Sequence, residues 1–183
     1  MAIDFNKQLT VKDLLKIDEG RIDRSKQLYK VKFIDDYDIL DVEEVKSKIH
    51  NSSIKSKKKP QSILHKIFKY QVDSNSGNKY KVFIEVPPSF SFNRSKFLQN
   101  KVRVFCNCAD FKYRAAYNLS KKDNVCIFED AEKHLGVALT EPPTKIIPTN
   151  ICKHLYSALK EFRSKIYNNR LLKELSESTI IKN

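Results

Sequence analysis

KVRVFCNCADFKYRAAYNL (Lys101–Leu119) and NICKHLYSALKEF (Asn150–Phe162) are the two stretches that decide how this chain folds. In the first, Val102, Val104 and Cys106 alternate with Arg103, Phe105 and Asn107, the period of two expected of a strand (Lys101 to Asn107) with two distinct faces. That strand carries Cys106-Asn107-Cys108 to its C-terminal end. Immediately beyond it, Phe111, Ala115 and Leu119 recur every four residues with Tyr113, Ala116 and Tyr117 alongside, which predicts a helix over Ala109 to Leu119. In the second stretch, Cys152-Lys153-His154 opens a long helix predicted to start near Asn150 and run toward Leu175. Its apolar stripe is Ile151, Leu155, Leu159, Phe162, Ile166 and Tyr167.

Working outward, HKIFKYQV (His65–Val72) and KYKVFIEV (Lys79–Val86) are rich in branched and aromatic residues, as strands are. The intervening DSNSGN has hairpin-turn chemistry, and Pro87-Pro88 ends the second strand. Nearer the N-terminus, TVKDLLKI (Thr10–Ile17) starts on a capping threonine and reads as a short helix. From Ser25 to Asp35 the pattern is mixed: Leu28, Val31 and Phe33 fit a strand at least as well as a helix, and Asp35, Asp36 and Asp38 favour a turn or cap. Ser120 to Pro148 is looser and acidic. The fold class is therefore α+β, with a small antiparallel sheet from Ile67 to Asn107, flanking helices, and a metal-stapled C-terminal half that ends in a long helix. The expected divisions are 1–64, a helical or mixed part with a basic loop; 65–175, the sheet and metal-binding module; and 176–183, a tail.

The chain has 183 residues, with 35 Lys+Arg against 22 Asp+Glu and a formal net charge of +13. At 40% apolar and 31% charged residues it has enough apolar content for a core under an ionic surface, which excludes collagen-like and wholly disordered chains. No apolar run approaches the roughly 20 residues of a membrane span, and MAIDFNKQLT lacks the layout of a signal peptide, so a soluble chain is expected. Val45 to Val72 holds eight lysines and no carboxylate. Within it Lys55, Lys57, Lys58 and Lys59 form a run able to neutralise phosphates, and Arg103, Lys112 and Arg114 add positive charge around the cysteine-bearing strand. Tyr70, Tyr80, Tyr113 and Tyr117 interleave with basic residues, but their spacing fits core or interface packing better than a stacking platform.

Four cysteines without a secretory signal argue for free thiols or metal ligands rather than a disulfide framework. Cys106, Cys108, Cys152 and His154 could supply three thiolates and one imidazole, a donor set that suits tetrahedral zinc. On a regular helix residues i and i+2 diverge by roughly 200°, so Cys152 has to lie at or before the first turn, with Thr149 or Asn150 as N-cap. Cys126 reads as an apolar core residue, although Cys126 or His134 could stand in for one of the four. Such a site is closed: four protein ligands leave no position for water, which points away from catalysis. A Cys152–His154 nucleophile pair has no orienting third residue, and only three glycines leave no phosphate-cradling loop.

CNCADF followed by NICKHLYSAL resembles the SWIM zinc finger, whose pattern is CxC, a spacer, then CxH, over about Val102 to Phe162. The resemblance implies structural Zn2+ held by Cys106, Cys108, Cys152 and His154 in a strand-strand-helix unit. The 43 residues between Cys108 and Cys152 form a longer spacer than is usual for that family. This long-spacer form, with CxCxDF, an aromatic-rich helix and CKHLY, is similar to uncharacterised virion proteins of tailed bacteriophages. It implies a non-enzymatic structural or assembly subunit of a virion, acting through contacts with other virion proteins and possibly DNA, with no membrane and no small-molecule substrate. The alternative is a nucleic-acid-binding module in the host cytoplasm, using the basic residues named above.

Overall fold

The structure, a computed structural model, describes residues 8–16, 30–40, 64–74, 76–142 and 151–168. Helix α1 (Val11–Leu15) starts at Thr10, where a reciprocal capping box forms: Thr10 Oγ1 accepts from the Asp13 N–H at 3.2 Å, and the Asp13 carboxylate accepts from the Thr10 N–H at 3.1 Å. Its buried Val11 and Leu14 pack onto the 3₁₀ turn Phe97–Gln99, and the Thr10 to Val11 backbone is tied to Asn100 and Lys101.

Four antiparallel strands follow in spatial order: β1 (Lys30–Leu40), β2 (Leu64–Asp73), β3 (Lys79–Val86) and β4 (Arg103–Cys106). β2 and β3 fall where the sequence places them, and Gly77, at φ 79°, supplies the left-handed position in the turn between them. The sheet is larger than expected by β1. Asp35, Asp36 and Asp38 do not cap or turn the chain; they continue β1, which bulges between Phe33 and Asp35. A carboxylate is tolerated there because Asp36 meets Lys66 of β2 at 2.9 Å. β4 is shorter than expected, and its outer edge is met by Val125 in a parallel bridge to Val104.

Register fixes the two faces. Val82 lies opposite Cys106 and Ile84 opposite Val104, so these share one face; Phe83 opposite Phe105 and Glu85 opposite Arg103 share the other. The first face is covered by α4 (Lys153–Tyr167), whose Phe162 ring lies 4.9 Å from Phe68 and 6.4 Å from Tyr70. The second face is covered by the segment after β4. There Ala109–Ser120 is helical and wound as a π-turn over Phe111–Ala115, with α2 (Ala116–Ser120) completing it. The loop that follows is not featureless: α3 (Ala131–Leu135) and a 3₁₀ turn (Gly136–Leu139) fold within it. Phe111, Phe128 and His134 come to the Phe83–Phe105 pair at ring distances of 5.3 to 6.0 Å. Asn124, fully buried, clamps Leu9 through both its backbone groups and also donates to the Val102 carbonyl.

The result is a three-layer α+β arrangement, helix on sheet on helical loop. α4 starts at Lys153 rather than near Asn150, and it ends at Tyr167 with Asn168 as C-cap rather than running on toward Leu175; residues 169–183 lie outside the described residues. Lys55, Lys57, Lys58 and Lys59 lie outside them as well. Among the described residues no helix is long and apolar enough to cross a membrane.

Candidate metal centre

Cys106 is the last residue of β4 and points to the α4 face, while Cys108, two residues on, sits where the chain turns into the next helix. Cys152 is the N-cap of α4, with extended φ −93° and ψ 165°, and His154 is in the first turn. The helical divergence of residues i and i+2 is thereby avoided, since only His154 has helical geometry. The cap is Cys152 itself, not Thr149 or Asn150: its sulfur takes the capping role by accepting the Leu155 N–H at 3.4 Å. Cys108 Sγ likewise accepts the Phe111 N–H at 3.3 Å. Both ligand pairs are thus held by backbone N–H···S bonds three residues on.

The four donor atoms all lie within 4.8 Å of one another, and all four residues are buried. A tetrahedron with bonds of about 2.3 Å has edges of about 3.8 Å, so these side chains are gathered to within about an ångström of a single coordination sphere. Three sulfurs and one imidazole suit a soft or borderline cation and disfavour Mg2+ or Ca2+, which take oxygen. The thiols also respond to one another. Hydrogen bonds from Cys106 and Cys152, with further help from His154 and the Phe111 N–H, hold Cys108 far below the usual thiol range; burial, reinforced by Cys108, pushes Cys106 up, and burial likewise pushes Cys152 up.

The Tyr80 ring on β3 stacks on the His154 imidazole at 3.9 Å and 21°. This stacking goes beyond the core or interface packing expected of Tyr80, and its only signal in the sequence is that Tyr80 shares the sheet face of Val82, the partner of Cys106. Cys126 and His134 do not join the cluster. Cys126, fully buried, lies beside Glu85 on the opposite sheet face, where burial and the Glu85 charge push its thiol up, and His134 packs edge-on against Phe105 on that face at 5.9 Å.

A second buried polar group, also unread in the sequence, surrounds Glu85. Its Oε1 meets His65 Nδ1 at 2.9 Å and Arg103 Nη1 at 3.0 Å, and Arg103 Nε donates to the Val125 carbonyl at 3.1 Å. Burial alone would raise the Glu85 carboxyl, but the His65 hydrogen bond, the Arg103 charge and the Cys126 contact outweigh it and hold it below its ordinary value. Arg103, half-buried, is thus engaged in an internal ion pair. Arg114 pairs with Asp110 one turn away at 3.2 Å, and Lys112 lies over the exposed Tyr113 ring at 5.6 Å.

No protein-family model, no curated protein and no solved structure matches this chain.

Proposed function

We propose that the chain is a non-enzymatic, zinc-stapled structural module, in which Cys106, Cys108, Cys152 and His154 hold one Zn2+. The observation that carries this reading is the convergence of four buried S and N donors, from two separate chain segments, within 4.8 Å. Zinc supplies charge there: a dication offsets thiolates that otherwise suppress one another's ionisation. All four positions being protein side chains, no site remains for a reacting water, which supports a structural role over a catalytic one. The ion would join the end of β4 to the start of α4 across the 43-residue spacer between Cys108 and Cys152. Structural zinc contributes about 10 kcal/mol or more in small domains, so folding of this half would be coupled to the metal.

The reading extends to a subunit of a tailed-phage virion acting through protein contacts, supported by the resemblance of the CxCxDF and CKHLY segments to such proteins. Titration of metal-free protein with zinc, followed by near-ultraviolet circular dichroism, tests the first part: tertiary signal should appear at one equivalent, and a full signal without metal contradicts it. Mass spectrometry of purified virions tests the second, and consistent absence from particles overturns it.

A further inference from the structure

We propose that one side of α4 is a second binding surface, independent of the metal, for the phosphodiester backbone of nucleic acid. Tyr156, Lys160, Arg163 and Tyr167 are spaced by four, three and four residues, so they form one stripe along the helix, beside the buried row of Leu155, Leu159, Phe162 and Ile166. At about 1.5 Å per residue the stripe is about 16 Å long. Cations and rings pair along it: Lys160 Nζ lies 5.5 Å over Tyr156, and the Arg163 guanidinium lies 4.9 Å over Tyr167. Arg94, from the loop before the Phe97–Gln99 turn, brings a second guanidinium to 5.7 Å from the same Tyr167 ring and donates to the Tyr167 carbonyl.

Ring contacts of this kind hold a cationic head in place without neutralising it. Elsewhere Lys66, Lys69, Lys81, Arg103 and Arg114 each have a carboxylate. Lys160, Arg163 and Arg94 have none among the described residues. Three positioned, unneutralised charges along a straight element match a linear polyanion, and guanidinium forks match phosphate oxygens in particular. Because Tyr167 already carries two guanidiniums and an edge contact from Phe97 at 6.2 Å, it is not offered to bases, so binding is sequence-independent. The stripe uses none of Lys55, Lys57, Lys58 and Lys59.

The test is fluorescence anisotropy of a labelled oligothymidylate with the full chain across a salt series. Lys160→Glu with Arg163→Ala should weaken binding about tenfold and reduce the slope of log affinity against log salt by about 1 to 2. Lys160→Glu alone, at an exposed position, gives a smaller loss in the same direction and keeps the test intact if the double variant fails to fold. Wild type that does not bind at low salt, variants that bind as wild type, loss seen only in Lys57→Ala/Lys58→Ala/Lys59→Ala, or equal competition by polyglutamate would each overturn the proposal. Binding that survives zinc removal while still responding to Lys160→Glu separates this surface from the metal reading.

Discussion

The two faces of the sheet each bury a cysteine and a histidine, and they do so to opposite ends. On the α4 face, three thiols and His154 bring four soft donor atoms within 4.8 Å of one another. On the other, Cys126 and His65 surround Glu85, whose charge is met by Arg103 at 3.0 Å. The second group pairs its charges within the protein; the first is a set of four donors that could hold a metal ion. A buried cysteine near a histidine is therefore uninformative by itself, and what distinguishes a metal centre is an excess of soft donors over internal counter-charge.

The largest effect that separates the faces is expected from removing a donor. Cys108→Ala, His154→Ala or treatment with a strong chelator should abolish cooperative thermal unfolding of the C-terminal half, because the staple between β4 and α4 is lost. On the other face, Glu85→Ala leaves buried His65 and half-buried Arg103 without their shared partner and should cost about 1 to 3 kcal/mol in denaturant unfolding while zinc stoichiometry stays unchanged. If Glu85→Ala also expels the metal, the two faces are not independent.

The same contrast has a pH signature. Glu85 is held below its ordinary carboxyl value in the folded state, so its stabilisation is present above the unfolded carboxyl range and is lost as pH falls through the folded value. In Glu85→Gln that part of the acid dependence should disappear, whereas acid-driven zinc loss, measured by release to a colorimetric chelator, should follow wild type. A smaller effect is expected at Tyr80. Tyr80→Ala frees the His154 ring and should speed zinc release about tenfold, while Tyr80→Phe, which keeps the stacked ring at 3.9 Å, should behave as wild type. The smallest is Cys126→Ala, at about 1 to 2 kcal/mol with full metal content.

How much of this was legible depended on whether local pattern and tertiary contact agreed. β2, β3 and the alternation of Val102 to Asn107 could be read because the apolar positions on both faces are mostly buried, while exposed Lys79 and Lys81 fall toward the turn end of β3. The four donors were legible because ligand identity is written in residue type and needs no geometry. β1 was misread at Asp35 to Asp38, since the Lys66 that pairs with Asp36 is 30 residues away and invisible to local propensity. The same applies to Glu85: a lone carboxylate in KYKVFIEV gains its meaning only from Arg103 on the next strand and His65 on the preceding one. The start of α4 was placed too early because cysteine is an unusual N-cap, and its sulfur became one through the same geometry that turns it toward Cys106 and Cys108.

The most direct test is the zinc content of protein purified without added metal, by inductively coupled plasma mass spectrometry, with thermal unfolding recorded on the same sample. The account predicts about one zinc per chain and a single cooperative transition that is lost on chelation. A metal-free chain that unfolds cooperatively, or one that keeps its zinc in Cys106→Ala/Cys152→Ala, would contradict it.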